Sequence, residues 1–224
     1  MKLYYHPAST TSRAVLLGAS EMGVQLDLQL IDLMTGAHLK PEYAAVNPNC
    51  LVPCLDDDGL KLTESATILR YLAEGAGSPA YPSARRDRAL VNEAMDWANS
   101  NLYRDLGYQL VYPQLFPHHR RPTEETQRVT LEWGRDKSHK WLKVLDSWHL
   151  GDGRKFLCGN QPTIADYFVG PMISITELIH ADISGYANVS RWYGNVKALA
   201  SWPKVNEVFD GFVASLKDQE FVGL

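Results

Sequence analysis

At 224 residues, 45% hydrophobic and 21% charged, the chain reads as an ordinary globular protein, long enough for one large domain or two smaller ones. Its net charge of −4 gives no reason to expect nucleic acid or an anionic membrane as partner, and no apolar run approaches the roughly 20 residues that span a bilayer. Met1–Pro7 lacks the apolar core of a signal peptide, and three cysteines (Cys50, Cys54, Cys158) are too few and too odd for a disulfide scaffold, so a reduced cytoplasm is expected. In chain order, Lys2–Tyr5 predicts a short strand, Pro7–Thr11 a turn rich in small hydroxyls, and the next segment a helix with Ala14, Leu17, Gly18 and Met22 on one face, stopped by Gly23. From Gln25 to Ile31, Leu26, Leu28 and Leu30 alternate with Gln25, Asp27 and Gln29, the period of a strand. A helical His38–Ala45 and an Asn47–Asn49 loop lead to a strand at Val52–Leu55, a tight turn at Asp57-Asp58-Gly59, and a returning strand at Leu60–Leu62. A helix from Glu64 to about Glu74 closes the unit. The order β-α-β-α-β-β-α predicts a parallel first pair and an antiparallel hairpin, because crossover helices join parallel strands.

Gly75-Ala76-Gly77-Ser78-Pro79 breaks the pattern and reads as a linker. Beyond it the signals are helical: Arg85–Pro113, Glu124–His149, a helix opened by Pro162-Thr163-Ile164-Ala165-Asp166, then Val189–Leu199 and Pro203–Leu216. Thr163 can cap its helix, and Asp166 three residues on completes a capping-box arrangement. The expected organisation is an α/β domain over 1–77 and an all-α domain over 85–224.

Two short motifs carry chemistry. Val52-Pro53 can hold a cis bond, which in a turn before a strand would leave the valine N–H and C=O facing outward to pair with an extended peptide. Eleven residues on, Glu64 can bind an ammonium. The hydroxyl and N–H of Ser65, at a helix N-terminus, suit a carboxylate. One zwitterionic end plus one strand-like pairing describes a γ-glutamyl tripeptide.

Taken with the order of the two halves, the motifs Val52-Pro53, Thr63-Glu64-Ser65 and Pro162–Asp166 make the chain resemble a cytosolic glutathione transferase nearly end to end. The resemblance implies a thioredoxin-like first domain, an all-helical second domain that forms the electrophile site, and a homodimer. Ser9-Thr10-Thr11-Ser12-Arg13-Ala14-Val15 is similar to the theta and delta classes, which use a serine to hold the glutathione thiolate, and Asp96–Leu102 resembles theta-class members. By that motif Ser9 is the catalytic candidate and Thr10 the runner-up, with Ser12 supporting the loop. For the residues alone, a helix cap is the simpler role for Ser9 or Thr10. The energetics allow the serine assignment. Lowering a thiol pKa from about 8.5 by about two units needs roughly 2.7 kcal/mol. A hydroxyl donating to a charged sulfur supplies about 1.5–3 kcal/mol, and the helix N-terminus about 0.3–1 more.

The glutathione-binding set implied is His38, Cys50, Leu51, Val52, Pro53, Glu64 and Ser65, with His38 near the glycyl carboxylate and Cys50 standing where similar proteins often carry a histidine or lysine nearby. Pro7, Tyr103, Tyr108 and Tyr112 are expected at the electrophile, although a stripe such as Tyr108, Tyr112, Phe116 on a helix is more often core. Ser100 stands where theta-like proteins place an acid reaching the partner's glutathione; Asp96 and Asp105 are the nearby substitutes. Cys54 reads as a buried apolar residue. No metal is expected: Cys50 and Cys54 are not a Cys-x-x-Cys pair, and adjacent His118 and His119 would point apart on a helix. The alternatives are a non-catalytic interaction module of this fold, a glutathione-dependent dehalogenase or peroxidase starting from the same thiolate, and a cysteine-dependent oxidoreductase, against which the missing N-terminal cysteine speaks.

Overall fold

The computed structural model describes residues 1–224. The first unit runs β1 (Lys2–Tyr5), α1 (Thr10–Glu21), β2 (Asp27–Leu30), α2 (Pro41–Ala44), β3 (Cys54–Asp57), β4 (Leu60–Leu62) and α3 (Ser65–Gly75). Its sheet has the order β2-β1-β3-β4, with β1 and β2 parallel and the other pairs antiparallel. This is the predicted arrangement. Asp58 and Gly59, with φ of 48° and 90°, close the β3–β4 hairpin, and the Asp56 carboxylate accepts the Gly59 N–H at 2.9 Å.

Three local expectations shift. The predicted helix over 38–45 is split into a 3₁₀ turn at Ala37–Leu39 and α2, because Lys40 precedes a proline and takes an extended conformation, ψ 149°. The strand expected at Val52–Leu55 begins at Cys54, since Pro53 has no N–H to place in a ladder; the Val52–Pro53 bond is cis. The alternation around β2 does not separate core from surface: Leu28 and Leu30 are 47% and 52% exposed on an edge strand.

The second unit is helical. α4 (Arg85–Trp97) continues without a break through two π-helical segments, Ala98–Tyr103 and Leu106–Val111, into α5 (Tyr112–Leu115), so the long predicted helix exists and ends two residues later than expected. The second widening lies just before Pro113, which cannot donate to the carbonyl four residues back, that of Gln109. Gly134 of α6 (Glu124–Val144) packs against that same backbone: a Cβ there would sit 2.7 Å from the Gln109 oxygen. α6 extends by a π turn to His149, as predicted. α7 (Ile164–Ser174), α8 (Ala187–Lys197) and α9 (Trp202–Ser215) complete the chain.

α7 is the buried axis of the molecule, with every residue from Ile164 to Ser174 inside. Its start is sealed by Asp166, whose carboxylate accepts the Thr163 N–H, the Thr163 hydroxyl, the Leu157 N–H and the Trp192 indole N–H at 2.8–3.0 Å. Burial still holds the Asp166 pKa above the ordinary carboxylate value. The two units are tied by Arg13 on α1. Its fully buried guanidinium donates to Ser174 Oγ (2.9 Å) and Asn206 Oδ1 (2.6 Å) and lies 3.6 Å over the Phe209 ring, with Nε and Nη2 unpaired. Desolvation lowers its pKa to about 10, so it stays charged at neutral pH.

Candidate functional site

The start of α1 sets the site. Ser9 is its cap residue, and Ser9 Oγ accepts the Ser12 N–H at 3.3 Å and lies 3.2 Å from Thr11 Oγ1. The Thr11 proton is directed to the Val52 carbonyl at 3.0 Å, and a carbonyl can only accept. Ser9 is therefore the donor in its pair with Thr11, over a distance long for two hydroxyls. Its proton is weakly held and can turn to a better acceptor at small cost. Thr10 differs. It is buried, and its hydroxyl sits 2.9 Å from Tyr112 Oη, which is 2.7 Å from Tyr103 Oη, so three hydroxyls form one chain across the two units. Ser12 is fully buried and its hydroxyl accepts the His6 N–H at 3.4 Å, which ties β1 to the helix start.

Two contiguous clefts open around this point. One, about 420 Å³, is lined by His6, Ala8, Ser9 and Thr10 on the first unit and by aromatic residues of the second. The other, about 270 Å³, holds Glu64 and Ser65 with Pro53, Asn47, Asn49 and Arg104. Thr11, Leu51, Val52, Tyr103 and Tyr108 belong to both. Of the predicted glutathione set, His38, Cys50, Leu51 and Val52 line the first cleft, while Pro53, Glu64 and Ser65 line the second. Glu64, expected inside the helix, is the residue before it, with φ 63° and ψ 107°, a conformation uncommon for any residue with a Cβ. The Val52–Pro53 edge is built from below: buried Asn47 and Tyr43 each donate to the Leu51 carbonyl at 2.7 Å. The expectation that the valine carbonyl faces out unpaired is corrected, since Thr11 already donates to it; the Val52 N–H has no partner within the chain. His38 Nδ1 is likewise buried without a partner.

The aromatic wall is real and only partly core. Tyr103 and Tyr112 are buried, but Tyr108 is 41% exposed, and the three rings meet edge to face at 5.3–6.1 Å. Burial pushes the Tyr112 phenol up to about 12 and Tyr103 well above its ordinary value, so both act as neutral hydroxyls. Pro7 lines neither cleft; its neighbours His6 and Ala8 do. His118 and His119 do not point apart, because they sit in a 3₁₀ turn, Pro117–His119, and their ring centroids are 4.3 Å apart on the wall of the first cleft. Asp96 pairs with Arg70 at 2.7 Å, and buried Asp105 accepts from Arg104 and the Trp141 indole, so both proposed substitutes for a partner-reaching acid are engaged within their own chain.

Residues 8–74 match the family model for the glutathione S-transferase N-terminal domain, and residues 124–195 match that for the C-terminal domain. The chain belongs to the glutathione S-transferase family. A delta-class glutathione transferase of Nilaparvata lugens is 36% identical over 96% of this chain and 98% of its own, with a TM-score of 0.80. A glutathione transferase of Bombyx mori is 30% identical over 96% of each chain, also at 0.80, and poplar glutathione transferase F1 is 27% identical over 94% of this chain and 98% of its own, at 0.80. The transferase thus joins the glutathione thiolate to an electrophile, and glutathione is its substrate. No helix of the transferase is long and apolar enough to cross a membrane.

Some lining residues escaped the sequence reading. Phe209 and Phe212 come from α9, Leu178 from the turn after α7, and Leu33 and Met34 from the loop after β2. Only the Phe209/Phe212 spacing of three along a helix gave any local signal, and it marks a buried face equally well. His6, directly after β1, was the readable one, as a polar residue where a strand delivers the chain to a helix start.

Proposed function

We propose that this transferase binds glutathione in the smaller cleft and along Val52, with its sulfur at Ser9, and transfers it to a small, mostly apolar electrophile seated in the larger cleft. The carrying observation is the loose Ser9 hydroxyl beside a committed Thr10: Ser9 bonds are 3.2–3.3 Å, whereas Thr10 is locked to Tyr112 at 2.9 Å. Ser9 then donates to the thiolate, assisted by the α1 N-terminus. The γ-glutamyl ammonium pairs with Glu64 and its carboxylate with the Ser65 N–H and hydroxyl. The free Val52 N–H pairs with the peptide, and His38 meets the glycyl end beside Cys50. Leu51 and Pro53 shape that edge, and Tyr103, Tyr108 and Tyr112 wall the electrophile.

In this reading residues 1–77 form the glutathione domain and 85–224 the electrophile domain, supported by the sheet ending at β4 and the irregular stretch between α3 and α4. The enzyme works as a homodimer in the cytoplasm, where it removes reactive electrophiles. Exposed Leu60 on β4 and Leu90 on α4 offer apolar surface for a second copy, and three free cysteines fit a reducing compartment. The test is the ultraviolet absorbance of bound glutathione thiolate across pH. Titration about two units below the free thiol supports the reading; titration at the free-thiol value in a saturated complex would sink it.

A further inference from the structure

The larger cleft has an end that conjugation of an arbitrary apolar molecule does not call for. Its far wall carries His119, whose ring lies 5.4 Å from Tyr108, 5.6 Å from Tyr112 and 4.3 Å from His118. Of the other polar groups of that wall, the Tyr103 and Tyr112 hydroxyls are spent on each other and on Thr10, which leaves the exposed Tyr108 hydroxyl and His118 beside His119 to meet a ligand. The surroundings of His119 include no hydrogen-bond partner for its ring nitrogens; burial first, then the nearby His118 and Arg121, keep the imidazole neutral near pH 7. Tyr112 touches both ends of the cleft, with its hydroxyl on Thr10 next to Ser9 and its ring against His119. His119 thus stands one tyrosine ring away from the place assigned to the sulfur. The same cleft is lined by Phe212, Phe116 and His118, whose rings lie nearly parallel in turn, with interplanar angles of 22° and 24°.

We propose that His119 is a specificity-determining residue that donates its N–H to an acceptor oxygen, of a nitro or carbonyl group, at the end of a flat conjugated electrophile opposite the reacting carbon. The inference rests on the conjugation reading above and names its substrate class. Such a group withdraws electrons and activates the reacting carbon, its oxygen is a hydrogen-bond acceptor, and a neutral imidazole has one N–H to offer it. For a halide of this class, as in the test below, the thiolate lone pair forms the sulfur–carbon bond while the carbon–halogen bond breaks and its electron pair leaves as halide. His119 exchanges no proton; it holds the acceptor end.

The test compares 4-nitrobenzyl chloride with benzyl chloride, two substrates sharing the same displaced chloride, in the wild-type enzyme and in His119→Phe, which keeps the aromatic packing and loses the donor. The expected result is a fall of about three- to ten-fold in the ratio of kcat/KM for the nitro substrate over benzyl chloride, the effect of one hydrogen bond. His119→Leu and His119→Gln read the same ratio through different shapes: the Leu variant lowers it and the Gln variant, which retains an N–H, keeps it. An unchanged ratio, or an equal loss for both substrates, overturns the proposal and leaves His119 as packing. A wild-type enzyme that conjugates neither chloride overturns the underlying reading and this inference with it.

Discussion

Ser9 and Thr163 occupy the same position in two helices, the cap before α1 and the cap before α7, and each is a small hydroxyl of the kind that favours that place. Around Thr163 the bonds to the Asp166 carboxylate are short and enclosed. Asp166 collects four donors from three separate segments, and neither it nor Thr163 lines either cleft. Around Ser9 the bonds are long, the hydroxyl borders a cleft, and its proton has no strong acceptor in the chain. The same local chemistry therefore serves stability where it is saturated and reactivity where it is left incomplete. A cap residue declares its role by what remains unspent after folding.

The comparison breaks first at Asp166. Replacing it with alanine leaves the Leu157 N–H, the Thr163 N–H and the Trp192 indole buried without an acceptor, each worth about 1–3 kcal/mol. Asp166→Ala is expected to lose about 3–5 kcal/mol in a denaturant titration; a loss below about 1 kcal/mol would show that the seal at α7 is ornamental. Ser9→Ala is the opposite case. Its stability should fall by only about 0.5–1 kcal/mol, while turnover near neutral pH drops about ten- to hundred-fold and the pKa of bound glutathione rises by about one to two units. Thr10→Val serves as the control: a pH–rate profile that moves with Thr10 and not with Ser9 places the donor one residue along.

A third substitution sharpens the polar half of the site. Glu64→Ala should weaken glutathione binding about ten- to hundred-fold by calorimetry, the worth of a charge-assisted bond, with the fold intact. Unchanged affinity in a folded variant would remove Glu64 from the ammonium site. The smallest effect expected is on pH stability. His6, His119 and His149 all have folded-state pKa values lowered below 6.5, chiefly by burial. The unfolded chain takes up these protons first, so the contribution is complete above pH 6.5 and declines as the pH falls below it. Thermal melts should drop on acidification through that range, and less steeply in His149→Phe, whose ring keeps its packing against Trp97.

What the sequence showed and hid follows from distance along the chain. The capping pair Thr163/Asp166, the Asp58-Gly59 turn and the Ser9 cap are decided by residues within a few positions of each other, and local preference reads them correctly. The sequence also placed Glu64 within one residue of its position before α3 but could not reveal its φ of 63°. His118 and His119 were misjudged because a helical geometry was assumed where prolines on both sides, Pro117 and Pro122, shorten the segment to one 3₁₀ turn. The far wall of the cleft could not be read at all. Phe212 meets Phe116 across nearly a hundred residues of chain, and no window of sequence contains that encounter.

Arg13 has a consequence for how the protein is made. A ribosome releases Arg13 with its helix long before Ser174 and Asn206, the two groups that receive its guanidinium, and Phe209, the ring it lies on. Until the last helix emerges, this charge has its best partner in water, and closing α1 over the growing core would strand it there. The first unit is therefore expected to stay loosely held until α9 has emerged. Stalled chains that stop short of Asn206 are expected to stay open to protease at α1, and chains that run past α9 to close, so α9 acts as the latch for a helix made almost two hundred residues earlier.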